Sequence, residues 1–390
     1  MEEKACFSLP TRVNVSRGAF TEVTREAMAL GRTVLVVTGR SAMHRTGVLA
    51  RLREAVEEAG GRFVLFDRVF PNPTTDLIDE GADLARREKA EVVVGLGGGS
   101  AMDTAKAVAM AAKSSRPAAE LFFAPLSPET PALPIIAVPT TSGTGSEVTP
   151  IAVMTDPRRR RKIGVSHHRF YPTVALVDPE LTTTMPPAVT ASSGMDALAH
   201  AVESYLSKNA TAISALFAEE AVRLVFQHLE TASQNGNDLG ARTGMAIAAV
   251  MGGVTLAQAG TILGHAVGMG IGGVMEVDHG AIVGLLLPEV LTFVLPHSLS
   301  RLARLAHRTD LVPPATEERR AAEEFIAAVR RLVTNLPLPP NLAAMGCDPA
   351  RLPEMVRNTM EQRALQNLPV VPGPAEVEDF LRRVLNAKGV

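Results

Sequence analysis

Apolar positions along the chain change their spacing near residue 186. Before that point short runs rich in valine and isoleucine stand out. They are Thr33-Val34-Leu35-Val36-Val37-Thr38, Phe63-Val64-Leu65-Phe66, Glu91-Val92-Val93-Val94-Gly95-Leu96 and Pro134-Ile135-Ile136-Ala137-Val138. All four read as strands, and the continuous runs at 33–38 and 91–96 predict strands buried in a parallel sheet. One or two further short strands are expected in residues 7–20, ending near Gly18. Helical spacing fills the intervals, from about Gly47 to Glu58 and from Asp76 to Arg87, the second following the turn Pro71-Asn72-Pro73-Thr74. Alternating strands and helices mean βαβ units. After Met185-Pro186-Pro187 helical patterns run on to Val390 with no convincing strand. The expected organisation is an α/β domain over residues 1–186, a parallel sheet flanked by helices, and an all-helical domain over 187–390.

One helical stretch tests whether the chain is soluble. Thr243 to Met275 carries no formal charge, and Gly260, Gly264 and Gly268 recur every four residues. That spacing occurs in packed membrane helices. Gln258, Thr255, Thr261 and His265 interrupt it, however, and Arg242 and Glu276 close it. The pattern therefore predicts one or two helices buried in a globular domain. Composition agrees: 46% hydrophobic and 21% charged residues over 390 positions suffice for two cores. A formal net charge of −2 gives no pull towards nucleic acid. The basic run Arg158-Arg159-Arg160-Arg161-Lys162 follows Asp156-Pro157 and has no interleaved aromatics, so it reads as a solvated hairpin turn. Cys6 and Cys347 are the only cysteines, which leaves no disulfide framework and no cysteine-based metal site. Met1-Glu2-Glu3-Lys4 opens without an apolar segment, and a cytoplasmic location is expected.

Two loops after strands point to an anion. Gly97-Gly98-Gly99-Ser100-Ala101-Met102-Asp103-Thr104-Ala105-Lys106 runs from a strand into a helix. Glycines there admit a phosphate to the N–H groups at the helix start, with Ser100 expected as N-cap. The loop follows a later strand, unlike the usual dinucleotide fingerprint, which follows the first. The second loop, Pro139-Thr140-Thr141-Ser142-Gly143-Thr144-Gly145-Ser146-Glu147, is rich in hydroxyls that can donate to phosphate or ribose oxygens. Two such loops favour a nucleotide over a lone phosphate.

In the helical half, Asp196 and His200 stand four residues apart and share one helical face. His265 lies in the glycine-rich region, and Asp278-His279-Gly280 follows fourteen residues later. One carboxylate and three imidazoles, Asp196, His200, His265 and His279, suit Fe(II), Zn(II) or another first-row dication.

Taken together these runs resemble the iron-containing, group III, alcohol dehydrogenases over nearly the whole chain. The resemblance rests on the motifs at 97–106 and 139–147, on Asp196-x-x-x-His200, on His265 and on His279-Gly280. It implies that Asp196, His200, His265 and His279 bind the metal. The implied cofactor contacts are Gly39, Ser41, Asn72, Gly97, Gly98, Gly99, Ser100, Asp103, Thr140, Thr141, Thr144 and Lys162. The family usually has a second histidine four residues after the one at 265; here Met269 stands there, which implies a more apolar substrate pocket. NAD-dependent members often end the second strand with Asp, where this chain has Gly39-Arg40-Ser41, and that departure suggests NADP over NAD. The implied activity is NAD(P)-linked interconversion of a small alcohol and its carbonyl at an iron or zinc centre, in a homodimer or larger homo-oligomer, without nucleic acid or membrane as partner. A lyase or cyclase of the dehydroquinate synthase type is one alternative, and a cofactor-binding homologue without turnover is another.

Overall fold

The computed structural model of the chain describes residues 7–386, so the Met1–Lys4 start and Cys6 lie outside the described residues. Chain packing divides these into two compact units. One is Leu9–Thr141 with Gly145–Thr184; the other runs from Met185 onward and also takes in residues 7–8 and Ser142–Thr144.

The first unit contains β1 (Arg12–Val15), α1 (Val23–Leu30), β2 (Thr33–Gly39), α2 (Ala42–Arg45), α3 (Val48–Glu58), β3 (Arg62–Val69), α4 (Thr75–Arg87), β4 (Val92–Gly97), α5 (Gly99–Ala111), α6 (Ala118–Leu121), β5 (Ile135–Pro139), β6 (Ile151–Asp156), β7 (Arg161–Ser166) and β8 (Val174–Val177). Six strands form a parallel sheet in the order β1-β8-β5-β4-β2-β3. Val34–Val37 and Val92–Val94 are fully buried, as expected of strands covered by helices on both faces. After β3 the chain crosses to the other side of β2 and lays down β4 there. This reversal of winding, with β2 and β4 side by side, is where open α/β sheets bind ligands at the carboxyl ends of their strands. It explains why the glycine loop follows a late strand: β4 is fourth in the chain but adjacent to β2 in space.

The basic run is the tip of an antiparallel hairpin, β6 paired with β7 from Ile151↔Ser166 to Asp156↔Arg161. The hairpin expected from Asp156-Pro157 is present. Arg161 and Lys162 lie inside β7 rather than in the turn.

The second unit contains α7 (Pro187–Leu206), α8 (Ala212–Gln234), α9 (Leu239–Ala259), α10 (Leu263–Gly272), α11 (His279–Arg308), α12 (Glu318–Asn335), α13 (Leu352–Met360) and α14 (Pro374–Asn386). Helix α7 starts with Pro187, whose fixed φ suits a first helical position. The side chains of Asp238 and Asp278 cap α9 and α11, accepting from Ala241 N at 2.9 Å and Ala281 N at 2.8 Å. The uncharged stretch becomes two helices, α9 and α10, broken at Gly260, where φ is +69°. Helices α9 and α11 are long and apolar enough to cross a membrane, and each is 61% buried over its most apolar window. That burial is what a core helix of a helical domain requires.

Candidate metal centre and cofactor loops

Helix α7 sets Asp196, His200 and Glu203 at positions i, i+4 and i+7, on one buried face. Helix α10 brings in His265, and α11 contributes its first residue, His279. Asp196, His265 and His279 each place a ligand atom within 4.8 Å of the others. His200 is beside this triad: its Nε2 is 3.8 Å from Asp196 Oδ1, and its ring stacks on His265 at 4.5 Å between centroids. The edge of His265 meets His279 at 5.5 Å. The structure thus gathers all four expected ligands, three of them in one tight set.

Charge in this pocket is strongly coupled. Burial alone would raise the Asp196 carboxyl, but His200, His265 and His279 hold it well below the usual carboxylate range. Burial likewise pulls His265 down, yet the Glu203 and Asp196 carboxylates overcome it and push the imidazole up to about 10. Burial lowers His200, with Asp196 opposing it. Asp196 Oδ1 and His265 Nε2 are 3.4 Å apart, both buried, and neither completes a well-formed hydrogen bond. Buried polar atoms are almost always satisfied. A dication between them would satisfy both and take the place of the proton that His265 otherwise holds, so the donor set fits first-row divalent iron or zinc.

In the α/β unit the expected cofactor loops converge at the carboxyl edge of the sheet. Thr38 is in register with Leu96, and Gly97 with Pro139, so the ends of β2, β4 and β5 are neighbours. Gly97 has φ +150°, a conformation that favours glycine. A Cβ at Gly98 would lie 3.3 Å from Thr141, which brings the two loops together. Gly98, and not Ser100, is the N-cap of α5. Its extended backbone lets the helix start earlier, with Ala101 N donating to Gly98 O at 3.0 Å. No side chain caps this helix, which leaves its N–H groups for an anion.

Asp103 does something sequence reading did not foresee. Both its oxygens are engaged within the protein, by Ser146 Oγ at 2.6 Å and Val153 N at 3.0 Å. Lys106 is fully buried beside it and donates to Ser146 Oγ at 2.8 Å, Thr149 O at 3.1 Å and Ile151 O at 2.7 Å. These two residues therefore clamp the second loop and β6 to α5. The third buried member is Glu147, whose carboxyl burial pushes up to about 7. A raised carboxyl stabilises the fold below its unfolded pKa near 4.5, and that contribution is lost as pH rises through about 7. Glu147→Gln should remove this dependence. The stability of the variant relative to the parent is expected to rise between pH 4.5 and 7.5, measured by urea unfolding; a constant difference would mean that Glu147 titrates normally.

Lys162 is buried and donates to Asn72 Oδ1 at 2.7 Å, joining two residues 90 positions apart; Asn72 has φ +57°. Ser41 occupies the N-cap position of the short helix α2, and Gly39 ends β2. Thr140 and Thr141 belong to the α/β unit, whereas Thr144 groups with the helical unit. Met269 lies one turn after His265 on α10 and is partly buried. Glu203, Lys106 and Ser146 are the residues that sequence reading left without a role. Glu203 carried a signal, its i+7 spacing from Asp196.

The chain matches the iron-containing alcohol dehydrogenase family over residues 10–179, and the carboxyl-terminal domain of the Fe-containing alcohol dehydrogenase family over residues 190–385. It is 34% identical over 381 residues to the NAD-dependent methanol dehydrogenase of Bacillus methanolicus, covering 98% of this chain and 99% of that protein. It is 32% identical over 385 residues to a 1-propanol dehydrogenase of Salmonella typhimurium, covering 97% and 99% respectively. An archaeal halo-thermophilic alcohol dehydrogenase from a Red Sea brine pool superposes with a TM-score of 0.93 at 30% identity, over 99% of this chain and 100% of that one.

Proposed function

Because the chain belongs to the iron-containing alcohol dehydrogenase family, we propose that it moves a hydride between a nicotinamide cofactor and a small primary alcohol or its aldehyde. It is an oxidoreductase, and alcohol dehydrogenation is favoured over the lyase or cyclase alternative by its named relatives. The observation that carries the reading is the buried, unsatisfied pair Asp196 Oδ1 and His265 Nε2 with His279 beside them. Asp196, His265 and His279, with His200 in reach, would hold the metal. Bound there, an iron or zinc dication supplies Lewis acidity towards a substrate oxygen. Asp196 contributes charge, and the imidazoles contribute neutral donors once His265 gives up its proton. The N–H groups at the start of α5 suit the cofactor's pyrophosphate. Met269 puts a thioether where an ionisable group would otherwise follow His265, which keeps that turn of α10 apolar.

The names of the relatives support small primary alcohols: methanol, 1-propanol and 1,3-propanediol all carry a primary hydroxyl. Cys347, a buried free thiol, supports a reducing, cytoplasmic setting, and a homo-oligomer completes the reading. The test is a panel of short aldehydes with iron- or zinc-reconstituted enzyme, run with NADH and with NADPH. Turnover of short aldehydes is expected; none with any substrate, despite bound metal, would point to a homologue that has lost turnover.

NADP preference is the finer part of this proposal, since the Bacillus methanolicus relative is named for NAD. An acidic residue at the end of β2 would face the 2′-phosphate, and a unit-charge pair at ~4 Å costs about 4 kcal/mol at an effective dielectric of 20. Gly39 removes that repulsion, and the neighbouring Arg40 guanidinium lies 5.5 Å from the Phe70 ring centroid. A Cβ at Gly39 meets nothing nearer than Val69 O at 3.8 Å, so Gly39→Asp fits the backbone. The variant is expected to lose about tenfold in kcat/KM for NADP relative to NAD, roughly 1.4 kcal/mol. An unchanged ratio would mean that the phosphate is read elsewhere.

A further inference from the structure

We propose that Glu203 is a positioning residue that fixes His265 as a metal ligand through Nε2. This rests on the metal-centre reading above. Glu203 Oε1 is 2.9 Å from His265 Nδ1, and both groups are buried. A carboxylate can only accept, so Nδ1 carries the proton in this contact. The neutral ring then has its lone pair on Nε2, the atom that faces Asp196 Oδ1 at 3.4 Å.

The carboxylate is itself held. Its Oε2 accepts from Ile262 N at 2.8 Å and His265 N at 3.3 Å, at the amino-terminal end of α10, where backbone N–H groups favour an anion. The sequence makes space for it, because a Cβ at Gly264 would overlap Glu203 Oε1. Charge points the same way. A dication balances the two buried carboxylates Asp196 and Glu203, and carboxylate-to-histidine contacts of this kind orient the ligand ring and raise its basicity. Glu203 as no more than a cap for α10 would explain the two backbone contacts but not the third, to the imidazole.

Zinc affinity of the whole enzyme, measured by competition with a chromophoric chelator, separates these readings. Glu203→Gln keeps the volume and removes the charge, and is expected to bind zinc 10- to 100-fold more weakly. Glu203→Asp keeps the charge but shortens its reach, and should lose at least about threefold. Asp238→Ala removes the cap of α9, away from the centre, and should lower Tm with zinc affinity unchanged. In the zinc-loaded parent, ¹H–¹⁵N spectra should show the His265 proton on Nδ1. Parent-like zinc binding by both Glu203 variants, an equal loss in Asp238→Ala, or a His265 proton on Nε2 would each overturn the inference while leaving the metal centre standing. A parent that takes up no zinc or iron would instead overturn the metal-centre reading, and this inference with it.

Discussion

His265→Ala is expected to release the metal and lower turnover by at least ~10³-fold, while the cofactor still binds. His265 is the hub of the centre: it faces Asp196 at 3.4 Å, stacks on His200 and meets His279 edge-on. Removing it leaves two members of the tight set, Asp196 and His279, with only His200 beside them, one donor fewer than the four expected. It also strands Glu203, a buried carboxylate that would lose the imidazole N–H it accepts from. A thousandfold corresponds to about 4 kcal/mol of transition-state stabilisation, within what a Lewis-acidic ion supplies. The cofactor loops stand on a separate sheet with its own core, so nicotinamide binding should survive. Elemental analysis, turnover and nucleotide fluorescence titration on one preparation check all three parts. Full metal content at normal rate would remove His265 from the centre, and His279→Ala offers the same test from α11.

The largest stability effect is expected at Lys106. Lys106→Met should destabilise the α/β unit by about 3–5 kcal/mol, the usual cost of removing one partner of a buried ion pair. The ammonium satisfies Ser146 Oγ and two carbonyl oxygens at once, and it is the cation nearest Asp103, 4.0 Å away. Without it Asp103 is a buried carboxylate that loses its adjacent cation and keeps hydrogen bonds from one hydroxyl and one N–H. Combining Asp103→Asn with Lys106→Met should recover part of the loss, because the charge then goes as well. Urea unfolding of both variants gives the comparison, and a single variant within 1 kcal/mol of the parent would show that the clamp contributes little.

Much of this architecture follows from local pattern. β2, β4 and β5 are legible because strands buried on both faces need unbroken apolar runs, and Val34–Val37 is such a run. Asp196 and His200 are legible because one helix fixes their spacing. What escaped depends on partners distant in the chain. Asp103 is expected from the resemblance to contact the cofactor, yet its hydrogen bonds go to Ser146 and Val153, 43 and 50 positions away. The strands β6 and β7 hide because a two-stranded ribbon needs few buried positions: β6 buries only Ala152, Met154 and Asp156, and β7 only Lys162, so neither reads as a strand covered on both faces. Ser100 misleads for a local reason: a preferred capping residue gives way when a glycine upstream adopts the capping backbone itself.

Residues 142–144 pack with helices encoded more than forty positions later, and a Cβ on Gly143 would lie 2.6 Å from Ser193 O. The helical unit is therefore not one uninterrupted length of gene. A chimaera spliced once, at residue 185, would inherit its helices from one parent and this tripeptide from the other. Grafting between homologues must exchange the tripeptide as well, and any bulkier residue at 143 in the donor would meet α7 of the recipient.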